Sequence, residues 1–268
     1  MKPRLGVVVP CYNYGEFLRE AVESVTAARR SDIELVIVDD GSTDLHTQQE
    51  VERLVQEGYH VIRQTNRGLA ASRNVGVRAL TADYILPLDA DNKIRPVFIE
   101  RALAILDAQP GVGVVYGDAQ NFGARAERWV TGPFDQARLM RWNYIDACAV
   151  LRRTVWEQNG GYDGTLPVQG LEDWDMWLGA RGRGWEFEYV PEIFFDYRVK
   201  KESMIVTARK STRHVEEFIA RKHAMLYRDA WLRSEQHRLS FKETAGQLHL
   251  LFVERLRERL LGAPSRRL

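Results

Sequence analysis

Two cysteines are all that the 268-residue chain contains. Cys11 and Cys148 lie far apart and lack metal-ligand spacing, which argues against a disulfide framework or a zinc site and suits a reducing cytoplasm. Long hydrophobic runs are also missing: no apolar stretch approaches the roughly 20 residues a membrane span needs. The start, "MKPRLGVVVPCYNYGE", is basic and then briefly apolar, but Asn13 and Glu16 arrive too soon for a secretory leader. Neither G-x-x-x-x-G-K-[ST] nor G-x-G-x-x-G occurs, so the common glycine-rich phosphate cradles are absent. A nucleotide bound here would need a cation on its phosphates, with Arg67 or Arg73 as candidate helpers. A charge excess is lacking too: the formal net charge is +1, and no nucleic-acid partner is expected.

What is present reads as an ordinary globular composition, 45% hydrophobic and 28% charged. The charge is unevenly spread. Residues 207–268 hold fourteen Lys/Arg against seven Asp/Glu, a local +7 that leaves −6 for residues 1–206. Those first residues carry alternating strand and helix signals. "LGVVV" (5–9), "IELVIV" (33–38), "YHVIR" (59–63), "YILPL" (84–88) and "GVGVVYG" (111–117) read as strands. Between them, Phe17, Leu18, Ala21, Val22 and Val25 recur at helical spacing. Ser42 or Thr43 is placed to cap a helix carrying Val51, Leu54 and Val55. Residues 70–80 read as helix, and Pro96 opens another through about residue 107. Such alternation predicts an α/β fold with a mostly parallel sheet.

In an open parallel sheet the carboxyl ends of the strands share the edge where ligands bind. "PCYN", "DDGS", "TNRG" and "DADN" each follow a predicted strand, so four scattered clusters are expected to form one site. Three of them have a bland alternative. Asp89 and Asp91 lie two apart, and on a persisting strand they would share a face. At about 6 Å and an effective dielectric of about 20 they would repel by about 3 kcal/mol. They could cap the next helix or face water, or they could hold a divalent cation, since Mg²⁺ typically takes one or two protein carboxylates. Asp39 and Asp40 could begin a turn at Gly41, or Asp40 could read a nucleobase or ribose. Tyr12 could be a loop aromatic or stack on a base. Further on, "GLEDWDMWL" predicts a helix starting near Asp173, with Trp174, Trp177 and Leu178 as core. Glu172, Asp173 and Asp175 either profit from the helix dipole or include a general base.

Together, "VVVPCYNYGEFLREAVESV", "ELVIVDDGSTD", "NRGLAASRNVGV", "YILPLDADN", "NGGYDGTL" and "GLEDWDMWL" resemble, in order and spacing, the family 2 inverting glycosyltransferases with the GT-A fold. The likeness covers about residues 4–204. It implies a catalytic domain over 1–206, with a nucleotide-binding half (1–118) and an acceptor-binding half (119–206); from Thr207 the likeness stops, and residues 207–268 read from their own pattern as a basic amphipathic helical extension. It implies a nucleotide-diphosphate sugar donor, a UDP-sugar first, and a glycan or lipid-linked acceptor, as in polysaccharide and cell-envelope biosynthesis. Pro10, Tyr12 and Asn13 match the first donor-binding loop, Asp40 the base-reading carboxylate, and Asn66, Gly68 and Arg73 the segment closing over the nucleotide. Asp89 matches the ribose-side aspartate of D-x-D and Asp91 the ligand of Mg²⁺ or Mn²⁺. Asp173 matches the catalytic base, flanked by Glu172 and Trp174 on the acceptor side.

One departure stands out. Where many relatives carry a histidine associated with the metal or diphosphate, "DYRVKKESM" has Lys200; a protonated lysine cannot ligate, so weaker metal affinity is expected, with Lys200 or Lys201 partly substituting for that ligand by neutralising a phosphate oxygen directly. In the extension, "RHVEEFIARKHAMLYRDAWLR" and "GQLHLLFVERLRERLLG" read as amphipathic helices. They would pack on the catalytic domain or a second subunit, or attach peripherally to the inner face of the cytoplasmic membrane. Two rival functions remain: a non-catalytic nucleotide-sugar or glycan-binding module, and a haloacid-dehalogenase-type phosphatase. In the latter the fourth position after the first Asp is usually Thr or Val, whereas here it is Lys93.

Overall fold

The computed structural model describes residues 2–200 and 212–236. Its centre is β1 (Leu5–Cys11), buried along its whole length because both faces are covered. β2 (Ile33–Asp39) runs parallel on one side and β4 (Tyr84–Pro87) on the other, and β3 (His60–Arg63) extends the parallel array beyond β2. The connections are α1 (Gly15–Thr26), α2 (Leu45–Gln56) and α3 (Leu69–Ala79). On α1 the buried residues Leu18, Ala21, Val22 and Val25 are the apolar stripe read from the sequence.

Beyond β4 come β5 (Lys93–Ile94), α4 (Pro96–Ala108), β6 (Val112–Gly123) and β7 (Arg128–Trp129). They are followed by α5 (Gln136–Arg141), β8 (Val150–Arg152), α6 (Arg153–Asn159), α7 (Glu172–Gly182) and β9 (Glu186–Val199). The strand order is β3-β2-β1-β4-β8-β6-β9-β5, with β7 beside β6. Here the sheet turns mixed: β8 is antiparallel to β4 and β6, while β6 and β9 are parallel. Phe98 of α4 stacks on Phe194 of β9 at 4.3 Å between ring centres, tying a helix of the first half to the last strand.

Two expectations change. The cap of α2 is Asp44, whose side chain accepts from Thr47 N at 2.8 Å, not Ser42 or Thr43, which are taken up by contacts with Asn13. β6 runs to Gly123, well past the apolar "GVGVVYG", because β9 and β7 both pair with its polar end.

α8 (Thr212–Lys222) and α9 (Ala224–Gln236) follow. The chain divides into units Met1–Val215 and Glu216–Leu268. The expected boundary at 206/207 and the second amphipathic segment, "GQLHLLFVERLRERLLG", lie outside the described residues, as does Lys201. Among the described residues no helix is long and apolar enough to cross a membrane.

Candidate active site

The loops after β1, β2 and β3 are stitched together by side chains on their own residues. Asn13 adopts a positive φ of 57°, and its Oδ1 accepts from Thr43 N at 2.7 Å and Asp44 N at 3.2 Å. Its own N–H donates to Ser42 Oγ at 3.1 Å. Asp40, 3% exposed, anchors the next loop. Its Oδ1 accepts from Gln64 Nε2 at 2.6 Å and Arg67 N at 2.9 Å, and its Oδ2 from Gly68 N at 2.8 Å. Gly68 has φ +85°, and an added Cβ would lie 2.7 Å from Gln169 Nε2, so the turn that delivers its N–H to Asp40 requires glycine. Pro10 is buried in β1, whereas Tyr12 and Asn66 are exposed beside these loops.

That turn opens α3, which carries Arg73 inward until only 1% of it is exposed. One guanidinium nitrogen donates to Asp89 Oδ1 at 2.7 Å and another to Glu172 Oε1. Burial works against the charge, but Asp89 and Glu172 outweigh it and hold the group firmly cationic. Lys200 Nζ lies 2.9 Å from Asp91 Oδ2. Each aspartate of the D-x-D pair thus carries its own cation, which offsets their mutual repulsion. Burial, and then Asp89, push the Asp91 carboxyl up, with Lys200 opposing. The strand end bearing Lys200 is clamped to the same loop. Arg198 N donates to Asn92 Oδ1 at 2.9 Å and Arg198 Nε to the Asp91 carbonyl at 3.1 Å, while its guanidinium carbon lies 4.2 Å from the ring centre of Phe17 and 4.4 Å from that of Phe122.

The first turn of α7 completes the cluster. Residues 172–180 are all buried. Trp174 and Trp177 donate their indole N–H groups to the carbonyls of Leu139 (2.6 Å) and Ile145 (3.0 Å), which fixes the segment between α5 and β8. Trp174, 3% exposed, therefore underlies this wall. Asp173 Oδ1 accepts from Trp174 N at 2.8 Å and Oδ2 from Asn143 Nδ2 at 2.9 Å. Burial first, then Glu172, raise the Asp173 carboxyl well above the ordinary range, against the pull of Arg73. Glu172 Oε2 accepts from Gly170 N at 2.9 Å.

Several residues at this site drew no comment in the sequence. Asn143 holds Asp173. Tyr162, from "NGGYDGTL", lies 3% exposed beneath Arg73, with its ring centre 5.6 Å from the guanidinium carbon. The phenol of Tyr197 is raised by burial and by Asp146, Asp89, Asp91 and Asp173, so one side chain senses four acids. Asp146 is raised from 3.8 to about 7, by burial and then by Asp89. Its only sequence signal was an acid inside the otherwise apolar run "YIDACAVL".

Asp146 makes a pH prediction. A carboxyl with a raised folded value contributes stability that is full below its ordinary 3.8 and lost as pH rises through about 7. Asp146→Asn, which keeps an acceptor for Cys148 N, should melt several degrees above the parent at pH 8. The gain should shrink toward pH 5, as followed by thermal denaturation. A pH-independent difference would contradict the assignment.

Asp89 and Asp91 offer hard oxygen ligands already neutralised by cations, but among the described residues no three His, Cys, Asp or Glu side chains converge on one ion position. This fits an Mg²⁺-type ion whose remaining positions go to substrate phosphates and water, rather than an all-protein cage.

Comparison with known proteins agrees with this architecture. The mannosyltransferase PcManGT from Pyrobaculum calidifontis, solved with GDP-Man and Mn²⁺, superposes with a TM-score of 0.64 over 99% of this chain and 77% of that one, at 20% identity. S. aureus TarS with UDP-GlcNAc gives 0.61 over 76% and 61%, at 19% identity. At such identities the likeness concerns the fold. In sequence, the uncharacterized glycosyltransferase YibD of Escherichia coli is 28% identical over 176 residues, 58% of this chain and 50% of YibD. An uncharacterized glycosyltransferase of Haemophilus influenzae is 30% identical over 183 residues, 65% of this chain and 60% of that protein. The chain thus spans about half of such relatives. The sequence model described as Glycosyl transferase family 2 matches residues 6–165, more than half of the chain and including every strand-end cluster. With a GT-A sheet beneath those clusters, the chain belongs to glycosyl transferase family 2.

Proposed function

We propose that the protein moves a hexosyl group, with inversion, from a nucleotide-diphosphate sugar to a hydroxyl of a glycan or lipid-linked acceptor, assisted by Mg²⁺ or Mn²⁺. The observation that carries this reading is the single guanidinium of Arg73, which links Asp89 on the D-x-D side to Glu172, next to Asp173. Donor-side acids and a separate buried carboxylate therefore occupy one site. A sugar hydroxyl is a poor nucleophile until a base takes its proton during attack. Asp173, with its raised carboxyl, is the proposed base; its two accepted hydrogen bonds aim it.

Tyr12 and Asp40 would receive the nucleobase, with Pro10, Asn13, Asn66 and Gly68 shaping that pocket, and Asp89 the ribose side. Glu172 and Trp174 act from behind the acceptor wall by fixing Arg73 and the 139–146 segment. A divalent ion at Asp91 and Asp89 would stabilise the departing diphosphate as a Lewis acid. Lys200 would help neutralise the same phosphates. Glu172, the neighbouring acid, is engaged by Arg73 and the Gly170 N–H, which leaves Asp173 to act as the base and supports direct displacement, hence inversion. On this reading the reaction takes place in the cytoplasm, at the inner face of the cytoplasmic membrane when the acceptor is lipid-linked.

The solved relatives bear different donors, UDP-GlcNAc and GDP-Man, so both nucleotides belong in the test. A panel of UDP- and GDP-sugars incubated with Mn²⁺ or Mg²⁺ should show slow release of nucleoside diphosphate from one or a few members. The anomeric configuration of the transferred sugar, read by NMR, should be inverted. No release from any donor, or a retained configuration, would overturn the reading.

A further inference from the structure

Lys200 engages one oxygen of Asp91, the carboxylate proposed above as an ion ligand. Its ammonium is 2.9 Å from Asp91 Oδ2, and it rests 3.5 Å from the ring centre of Tyr14 and 5.1 Å from that of Phe17. The two side chains are largely withdrawn from water, 23% exposed for Lys200 and 15% for Asp91. A cation so desolvated is held by its anion and by ring faces, and it blocks one oxygen of the main candidate ligand. Asp89, the other carboxylate, is already tied to Arg73. With no cluster of three ligating side chains among the described residues, a bare ion has little to gain by displacing the ammonium.

A nucleoside diphosphate changes this balance in two ways. It brings phosphate oxygens that complete an ion's coordination, and it gives the ammonium a new anionic partner. The backbone need not move: Arg198 pins the strand end to Asp91 and Asn92, while the lysine stem is flexible. Resting on the donor-binding reading above, we infer that Lys200 is a placeholder cation that withholds Asp91 from a divalent ion until a nucleoside diphosphate is present, making metal and nucleotide binding mutually dependent. Such coupling is reciprocal, so the ion tightens the nucleotide by the same factor as the nucleotide tightens the ion.

The test uses the full chain and follows free Mn²⁺ by electron paramagnetic resonance, with calorimetry for UDP and GDP. For the parent protein, Mn²⁺ alone should bind weakly, and saturating diphosphate should tighten it about tenfold or more, within the range usual for linked sites. Lys200→Met keeps the stem against Tyr14 and Phe17 but removes the charge. It should bind Mn²⁺ alone about tenfold more tightly, with a smaller further gain from nucleotide. Lys200→Arg should behave like the parent, and in Lys200→Met/Asp91→Asn the gain should vanish. If Lys200→Met bound Mn²⁺ alone no more tightly than the parent, the placeholder role would be wrong. It would fail equally if the parent bound nucleotide identically with and without metal, which would make Lys200 a permanent substitute for the ion. Failure of UDP and GDP to bind under any condition would instead remove the donor reading, and the Mn²⁺-only comparison would still decide the role of Lys200.

Discussion

Asp173→Asn should lower the rate of sugar transfer by about a thousandfold, within the 10²–10⁴ range for loss of a positioned general base, while leaving nucleotide affinity intact. The structure indicates that this variant folds. The new amide oxygen can still accept from Trp174 N, and Asn143 has a buried Oδ1 with no partner. Turning over the Asn143 amide would present that oxygen to the new NH₂ group, so no donor need face a donor. Removing an ionisable carboxyl that burial pushes up should also leave the apo protein at least as stable at neutral pH as the parent. The same shift sets the pH profile. A base works only when ionised, so kcat/KM should fall on the acid side at a pH above the ordinary carboxylate range. Single-turnover transfer and nucleotide calorimetry on the variant separate the outcomes: transfer at the parent rate would remove Asp173 from the base role.

Arg73→Met should cost about 3–5 kcal/mol of stability, the usual penalty for removing one partner of a buried ion pair. At about 2–4 °C per kcal/mol for a chain of this size, the melting point should fall by roughly 10 °C. Glu172, 2% exposed, would be left as a charge with only the Gly170 N–H to hold it. Asp89 can partly hydrate, its side chain being 33% exposed, so the larger penalty falls on Glu172. Changing Glu172 to Gln in the same chain should recover a good part of the loss, because no uncompensated buried charge then remains. A single variant melting within about 2 °C of the parent would contradict the linkage of the two sides through Arg73.

How much of this could be read beforehand depends on where each residue sits. The positions of the four clusters after β1, β2, β3 and β4 were legible from strand periodicity; what links them is longer-range, for Asp40 holds the Gly68 turn that opens α3, Arg73 on that helix reaches Asp89, and Asp91 is met by Lys200 from the end of β9. The start of α7 was legible from its tryptophan spacing. Its burial on all sides was not, since a helix with acids in its first turn reads as half solvated until Arg73 and Asn143 are seen to receive them. Asp146, Asn143 and Tyr197 escaped because they come from an irregular segment and from mid-strand, where no local pattern separates a site residue from a structural one. The misplaced cap of α2 has a similar cause: Asn13, some thirty residues earlier, donates to the Ser42 and Thr43 hydroxyls that local preference assigned to capping.

The course of β9 bears on where the working unit can be cut. The family match ends at residue 165, yet α7 and the strand that lays Arg198 and Lys200 onto the D-x-D loop come later in the chain. A fragment trimmed to the matched segment would lose the proposed base, strip β6 of its partner over nearly its full length and leave an open sheet edge prone to self-association. Expression boundaries for this protein should therefore be drawn beyond Lys200.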